Sequence, residues 1–322
     1  MFVGDFGCKL QQNIQFENPS HFILDKHGNC PFLNNEKLCE IYINLGEKSL
    51  CKICAEHPRY YEWFNEVKEC GIGLCCEEAA RIILSQREPF KTYEIEIPIE
   101  ETNEYDEQVY AYLRKAREKI ISYLDNSDIP FNNRICNVLW YSNVIQQNLD
   151  SKLLDDEDII DVHTTVKPQI QEILKIFLTL EYNKMEWKNY IEHCISVYAN
   201  CSEERVRKFN SPNSQIDDYL KNVAIYFIWR YFLKGTFDFE ILSKVKLMVI
   251  SIAVIRCMLF CEWLENEDIS LEQCINIVKN YSEEIEYSEE NLELLADVSY
   301  ELDAFSVENL LGLWENGTVP FS

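Results

Sequence analysis

Cysteine is the residue type whose number and spacing suggest chemistry most clearly in this chain. Eight of the fourteen cysteines lie in the first 76 residues. The two-residue spacing between Cys51 and Cys54 lets both thiolates point toward one metal ion. The neighbouring pair Cys75 and Cys76 can rarely bind one ion together without strain. Four thiolates hold a tetrahedral zinc ion or an iron–sulfur cluster, and the spacing does not decide between the two. The candidate ligands are Cys30, Cys39, Cys51, Cys54, Cys75 and Cys76.

The sequence indicates a compartment in which a metal site is expected rather than disulfides. The opening residues have neither the basic region nor the sustained apolar stretch of a secretory signal. The most apolar run, 247–261, is interrupted by Arg256 and falls short of the ~18 apolar residues that a spanning helix needs. We therefore expect a cytoplasmic protein with reduced thiols, and a buried core helix at this run.

The charge of the chain limits the partners that it can bind. There are 55 acidic and 30 basic side chains, which gives a formal net charge of −25. Such a field opposes binding to nucleic acid and to anionic membranes, and it attracts cationic ligands. We expect no nucleic-acid partner and no membrane partner. The same charge also favours solubility without any specific partner.

Hydrophobic periodicity predicts helices throughout the larger, C-terminal part of the chain. Apolar residues recur at spacings of three and four from Val109 to Leu124, and Pro130 opens a second helix. Further stripes cover 166–180, 187–198, 219–233, 241–263, 271–278 and 291–314. The predicted fold is mainly α, with an irregular cysteine-rich metal-binding module at 1–90 followed by an all-helical bundle at 91–322.

Two local patterns add detail to this division. Residues 92–99 alternate apolar and polar side chains, which is typical of a strand or an extended connector, and Pro98 restricts such a strand to a sheet edge. Ser270 precedes the 271–278 stripe and is a candidate N-cap residue, together with Asp268.

Five short motifs follow one another in the N-terminal part of the chain. They are Cys30-Pro31-Phe32-Leu33, Leu38-Cys39-Glu40-Ile41, Leu45-Gly46-Glu47, Cys54 ahead of His57-Pro58-Arg59, and Cys76-Glu77-Glu78-Ala79-Ala80-Arg81. In this order and at this spacing they resemble the bacterial flagellin lysine-N-methylases. The resemblance is strong over residues 22–90 and continues weakly through 219–232 and 280–282. Members of that family usually carry another cysteine-rich segment ahead of these motifs, and the residues before Cys30 do not match it.

The resemblance implies an activity and a set of ligands. It implies S-adenosylmethionine-dependent N-methylation of lysine side chains on flagellin or a similar protein. It also implies that the cysteine region chelates an iron–sulfur cluster or, alternatively, zinc. The positions that match the family's cysteines are Cys30, Cys39, Cys54 and Cys76. Cys51 and Cys75 lie one step outside the commoner pattern and are second-rank candidates.

Methyl transfer to lysine needs a cofactor site and a way to keep the amine neutral, and the sequence indicates candidates for only some of these. A lysine amine must be neutral to attack a sulfonium methyl group, although the pKa of free lysine is near ~10.4. Arg59 is the candidate for binding the carboxylate of S-adenosylmethionine, and a structural ion pair is its alternative role. His57 is either a further ligand or a residue packed beside the cluster. No glycine-rich nucleotide loop follows a predicted strand, and the catalytic base is not located.

A second function fits the same residues. A cysteine module on a helical scaffold can act without catalysis, as a metal- or redox-responsive interaction protein. This alternative predicts a bound metal without affinity for S-adenosylmethionine.

Overall fold

The computed structural model of the chain describes residues 4–17, 19–26, 28–93, 95–96, 104–154, 166, 170–210 and 215–315. It divides into two compact units, Met1–His57 and Pro58–Ser322. This division lies earlier in the chain than the predicted boundary near residue 90. The expectation of a mainly α-helical protein is confirmed.

The first unit is built from short elements around a small core. The elements are α1 Asp5–Asn13, β1 Ile14–Gln15, β2 His21–Phe22, α2 Glu40–Leu45, a 3-10 turn at Glu47–Ser49, and α3 Lys52–Glu56. Strands β1 and β2 pair antiparallel. Phe32 is fully buried and packs with Leu10 and Ile41, and the ring of Phe22 meets it edge-on at 5.1 Å. This unit therefore depends on few apolar contacts.

The second unit begins with a β-hairpin that the sequence analysis did not predict. Strands β3 Arg59–Phe64 and β4 Val67–Ile72 pair antiparallel. The turn between them includes Asn65 in a left-handed conformation with φ 47°, which asparagine tolerates. Phe64, at the end of β3, is 1% exposed, and its ring stacks on that of Phe237 at 5.4 Å. The hairpin thus inserts an aromatic side chain into the helical core.

Polar contacts also fasten the hairpin to the helices of the second unit. Glu69 on β4 accepts two hydrogen bonds from Arg117, at 2.6 and 2.7 Å. The guanidinium of Arg117 lies 3.9 Å from the ring centre of Trp229. Leu74 and Ala80, which follow the hairpin, are buried in the same core. Because residues 58–84 share the core of the helices, the chain divides at residues 57 and 58 rather than near residue 90.

Helices form most of the second unit, and most of them coincide with the predicted stripes, although those at 203–209 and 235–238 do not. They are α4 Glu77–Ser85, α5 Glu107–Asp125, α6 Phe131–Ser151, α7 Ile170–Phe177, α8 Met185–Asn200, α9 Glu203–Phe209, α10 Gln215–Tyr231, α11 Gly235–Asp238, α12 Ile241–Asn266, α13 Leu271–Tyr281, α14 Glu289–Glu301 and α15 Val307–Glu315. The stripe at 291–314 falls on two helices, α14 and α15. An extended Leu302 and a 3-10 turn at Asp303–Phe305 separate them.

Helix α12 is the core helix predicted for the most apolar run. By length and composition it is the one helix in the described part of the chain that could cross a membrane, and 83% of its apolar window is buried inside the protein. Arg256 within it is 3% exposed, and it binds Asp217 at 3.3 Å and Asn210 at 2.9 Å. A buried arginine with these partners is compatible with a helix packed on all sides by protein.

Helix α13 begins as predicted and ends in an unpredicted way. Ser270 forms a capping box with Gln273, because each side chain binds the backbone N–H of the other residue. At its C-terminal end α13 continues into a π-helical segment, Ser282–Glu286. Such segments are rare and are frequent at functional sites.

The candidate strand at 92–99 is only partly covered by the described residues. Of its eight residues, Thr92, Tyr93, Ile95 and Glu96 are described, and they form no strand. The other four lie outside the described ranges. The two strand pairs observed in the described chain, β1–β2 and β3–β4, both lie before this segment.

Candidate functional site

The first unit brings four of its cysteines into one region. Cys39 is the N-cap residue of α2, and Cys51 is the N-cap residue of α3, which contains Cys54. Partial burial, a hydrogen bond with Cys51, and the charges of Cys51, Cys30 and Cys39 raise the pKa of Cys54 to about 12. Charged neighbours shift a pKa in this way only at short range. The four thiols therefore lie near enough to one another to interact electrostatically.

This set has the chemistry of a metal-ligand group without its geometry. Zinc and iron–sulfur clusters both take four thiolates, and a bound cation would reverse the repulsion that raises the pKa of Cys54. In the described residues, no three His, Cys, Asp or Glu side chains are placed to hold a metal ion. The thiols fit the predicted ligand role by type and proximity.

The remaining predicted site residues lie in the second unit or at the end of the first. Cys76 is the N-cap residue of α4, and Cys75 before it is half-buried. Burial raises the pKa of Cys75, and a hydrogen bond with Tyr287 opposes that rise. Arg59 is the exposed first residue of β3, and His57 is the exposed last residue of the first unit. The predicted cysteine set is thus divided between the two units.

A buried ion pair among tyrosines lies in the second unit, and the sequence analysis did not identify it. Glu286, the last residue of the π-helical segment, has a fully buried side chain and lies 3.1 Å from Arg230. Its Oε2 also accepts hydrogen bonds from Tyr231 at 2.9 Å and from Tyr226 at 3.1 Å. The ring of Tyr60 lies 5.0 Å from the guanidinium of Arg230. These contacts hold the π-helical segment in place.

Tyr226 and Tyr231 act as hydrogen-bond donors to Glu286. Burial raises the pKa of Tyr226 and of Tyr231 well above the ordinary value, and the Glu286 carboxylate adds to the rise. Both hydroxyl groups therefore keep their protons at neutral pH. The contacts of Arg230, Tyr226 and Tyr231 with Glu286 are those of a structural clamp, and the second oxygen of Glu286, Oε1, has no hydrogen-bond partner among the described residues.

The same π-helical segment carries Glu284 into an open pocket. The pocket has a volume of about 380 Å³ and lies between α8, α12, α13 and this segment. Its apolar and aromatic lining is formed by Trp187, Tyr190, Met258 and Ile277. The hydroxyl of Tyr190 is hydrogen-bonded to Glu262 at 3.0 Å and to the carbonyl oxygen of Met258 at 3.1 Å. Pockets of this size and lining hold small organic ligands.

The polar lining of the pocket is of two kinds. The amide side chains of Gln273, Asn276 and Asn280 follow one another along α13 at spacings of three and four, so they share one helix face. The charged lining residues are Lys184, Glu186, Glu262 and Glu284. With three carboxylates and one ammonium group, the pocket carries a net negative charge.

Two buried polar atoms of the lining residues lack partners in the described residues. Glu284 is 1% exposed, and the backbone N–H of Asn183 donates to its Oε2 at 2.7 Å. Its Oε1 has no hydrogen-bond partner, and neither has the Nε1 of Trp187, which is 5% exposed. Burial raises the pKa of Glu284 above its ordinary value. Both atoms are therefore buried in residues that line the pocket and have no partner in the described part of the protein.

The sequence held only faint signals of this pocket. The resemblance included Asn280, and the amides of α13 stand at helical spacing, but solvated helix faces show the same pattern. Glu284 sits in an acidic run that reads as exposed. Arg59 is not one of the described residues that line the pocket.

The pocket lies in a part of the chain that matches the model of a known protein family. The model of the FliB lysine N-methylase C-terminal domain matches residues 117–313, more than half of the chain, and every pocket residue lies in that range. A segment of 59 residues is 37% identical to the flagellar biosynthetic protein FliU of Salmonella muenchen. The lysine-N-methylases of Salmonella typhimurium and Salmonella choleraesuis match over 59 residues at the same identity.

These relatives are covered only in part. The aligned segment is 18% of this chain, 34% of FliU and 14% of each lysine-N-methylase, so the match spans well under two thirds of their length. No solved structure matches the chain. The resemblance seen in the sequence is nevertheless confirmed by the family model, and the chain belongs to the FliB lysine N-methylase family.

Proposed function

We propose that this protein transfers methyl groups from S-adenosylmethionine to lysine side chains of flagellin or of a similar bacterial protein. The observation that carries the proposal is the match of the lysine N-methylase domain over residues 117–313. That range contains the acidic pocket and the buried ion pair of Arg230 and Glu286. We expect the enzyme to act in the cytoplasm, before its substrate is exported.

The chemistry is a single displacement. The lone pair of a neutral lysine amine attacks the methyl carbon, the carbon–sulfur bond breaks, and its electron pair stays on sulfur as a thioether. The methylated ammonium group that forms then loses a proton to water. A sulfonium donor is positively charged and its product is neutral, so an acidic site favours binding of the donor over binding of the product. The net negative charge of the pocket supports this proposal.

We also propose that the N-terminal cysteines hold an iron–sulfur cluster, with zinc as the alternative. The proximity of Cys30, Cys39, Cys51 and Cys54 supports this for the first unit. The participation of Cys75 and Cys76 rests on the resemblance alone. The group would organise the first unit around four thiolates, and we assign it no step in methyl transfer.

The test of the activity is direct. The chain, purified without oxygen, is incubated with flagellin and with S-adenosylmethionine that carries a deuterated methyl group. Intact-mass and peptide mass spectrometry then measure labelled methyl groups on lysine. We expect mass increments on flagellin lysines that are lost when S-adenosylhomocysteine is added in excess. The absence of label from flagellin, with metal content verified, would overturn the proposal.

The set of four cysteines in the first unit favours one alternative function. If the protein is a metal- or redox-responsive interaction protein, iron with sulfide, or zinc, will be present while S-adenosylmethionine does not bind. Metal analysis and a binding measurement on one preparation separate the two functions. The role predicted for Arg59, binding the carboxylate of S-adenosylmethionine, belongs to the first function and stays a prediction.

A further inference from the structure

The open pocket of the second unit has no assigned ligand. Its charge narrows the class of molecule that it can take. Three carboxylates line it against one ammonium group, and that group, on Lys184, is already bound by Glu283 at 2.6 Å. The pocket therefore favours a ligand with net positive charge. Anions such as free phosphate are disfavoured.

The unpartnered atoms narrow the class further. A buried donor or acceptor without a partner costs about 1–3 kcal/mol, so native proteins rarely leave one unexplained. Glu284 Oε1 can accept a hydrogen bond or face a positive charge, and Trp187 Nε1 can donate one. Because both atoms are buried, a ligand reaches them only if the two side chains turn toward the pocket, and a ligand that satisfies both carries a cationic or donor group and an acceptor group. A metal ion or a simple ammonium ion offers no acceptor.

The remaining lining indicates a flat, polar heterocycle. Trp187 and Tyr190 are three residues apart on α8 and supply aromatic surface. Gln273, Asn276 and Asn280 supply amide groups from one face of α13, and the Oε1 of Gln273 among them already accepts from Ser270. Amide groups beside aromatic rings can read the edge of a purine while the ring packs on its face. A volume of about 380 Å³ suits a nucleoside-sized ligand better than a narrow alkyl amine.

We propose that this pocket is the binding site for S-adenosylmethionine, with Glu284 and Glu262 facing its positive charges and the α13 amides facing its adenosine. This inference rests on the proposed function and names the site at which that function takes its methyl donor. It competes with the predicted role of Arg59, which is not among the described residues that line the pocket. The two placements predict different sensitive residues.

The experiment measures binding instead of turnover. Isothermal titration calorimetry of the full chain is run with S-adenosylmethionine and, separately, with the neutral-sulfur analogue S-adenosylhomocysteine. The pocket variants are Glu284→Gln, which removes a charge, and Trp187→Phe, which removes the indole donor. Arg59→Met tests the competing site. Glu265→Gln is the matched control, since Glu265 is exposed on α12 and is not one of the lining residues.

We expect a specific pattern of losses. Glu284→Gln lowers the affinity for S-adenosylmethionine by about tenfold, which is the scale of one charge-assisted hydrogen bond. It lowers the affinity for S-adenosylhomocysteine less. The preference for the charged ligand therefore shrinks, which a merely structural defect would not produce. Trp187→Phe weakens both ligands to a similar degree, by roughly threefold to tenfold. Glu265→Gln and Arg59→Met bind like the wild type, and circular dichroism confirms that every variant is folded.

The outcomes separate the inference from the proposed function. If both pocket variants bind S-adenosylmethionine and transfer methyl groups as well as the wild type does, the pocket assignment is wrong while the proposed function stands. Loss of binding in Arg59→Met, with the pocket variants unaffected, would move the site to the hairpin. A lysine-containing flagellin peptide is titrated in the same way. If the pocket variants lower the affinity for this peptide and leave the affinity for S-adenosylmethionine unchanged, the pocket is the acceptor channel and the inference is wrong. A wild-type chain that neither binds S-adenosylmethionine nor methylates would overturn both proposals.

Discussion

The two units of this protein are stabilised in different ways. The first unit has helices of six and five residues at α2 and α3, too short to persist on their own, and a core of three buried apolar residues. The second unit surrounds the 26-residue helix α12 with a continuous core. Apolar burial therefore accounts for the stability of the second unit. In small units such a core rarely suffices, and metals or other cross-links supply what is missing.

The cysteines show the same contrast. In the second unit, Cys136, Cys194, Cys257, Cys261 and Cys274 are buried. They act there as small apolar side chains, as expected from their scattered positions. In the first unit, the cysteines are exposed or half-buried, and four of them lie close together. One residue type thus serves packing in one unit, and we propose that it serves ligation in the other.

The largest effect is expected from breaking the proposed ligand group. In metal-loaded protein, Cys54→Ser and Cys39→Ser should lower the protection of first-unit amides by several kcal/mol, because structural metal binding is part of the folding free energy. Hydrogen exchange with mass spectrometry resolves the two units in the full chain, and the amides of α12 should be unchanged. Cys8→Ser is the control, as an exposed cysteine of the same unit outside the group. Equal exchange in all variants would show that the thiols do not support the unit.

In the second unit, the next largest effect is expected at the buried ion pair. Glu286→Gln leaves Arg230 buried without its counter-charge, which costs about 3–5 kcal/mol of unfolding free energy. The control is Glu283→Gln at the half-exposed pair with Lys184, where the loss should be below about 1 kcal/mol. Urea unfolding measures both. A loss at Glu286 no larger than the control would mean that the cluster is not the clamp that we describe.

The helices could be predicted from the sequence because apolar periodicity directly reports the buried face. The 109–124 stripe lies within α5, and the capping signal at Ser270 marks the start of α13. The hairpin was missed although two short runs separated by two residues are a hairpin signal. Its turn contains Asn65 without the glycine that usually follows, and its strands lack strict alternation.

The candidate sites could be predicted only as far as the residues are close in sequence. The cysteine group was visible because four of its members lie within 25 positions of one another, from Cys30 to Cys54. The pocket joins Trp187 on α8 to Glu284 after α13, almost 100 positions apart, and no local motif connects them. The π-helical segment that places Glu284 and Glu286 contradicts the usual expectation that acidic runs are exposed. Tertiary packing decides such features, and single-sequence patterns do not report it.

A smaller loss is expected where the hairpin joins the helices. Arg117→Met removes both hydrogen bonds to Glu69 and the stacking on Trp229, so we expect a loss of about 2–3 kcal/mol. Hydrogen exchange should show the loss first in β3 and β4. The matched control is Arg87→Met, whose pair with Asp218 is exposed on both sides and should contribute less than about 0.5 kcal/mol. Unchanged exchange in the hairpin would mean that Phe64 and its aromatic neighbours hold it alone.

The smallest expected effect is a gain in stability, whereas the other substitutions cause losses. Burial raises the pKa of Glu284, so the folded protein without ligand loses stability as the pH rises from the ordinary carboxyl pKa through the raised one, because the charge must then be buried. Glu284→Gln keeps an acceptor for the Asn183 N–H and removes the charge. We expect a gain of about 1 kcal/mol at pH 8 that shrinks as the pH falls and the wild-type carboxyl becomes protonated. Thermal melts of both proteins at pH 5 and pH 8 measure it.

A gain in stability would identify Glu284 as a residue kept for binding at a cost to the fold, which is the usual relation at functional sites. A structural residue behaves as Glu286 is expected to, because its replacement removes a partner from another buried charge. Two carboxylates of one π-helical segment should therefore respond in opposite directions to the same substitution. If Glu284→Gln destabilises the protein as Glu286→Gln does, both belong to the clamp, and the pocket loses the residue that most favours a cationic ligand.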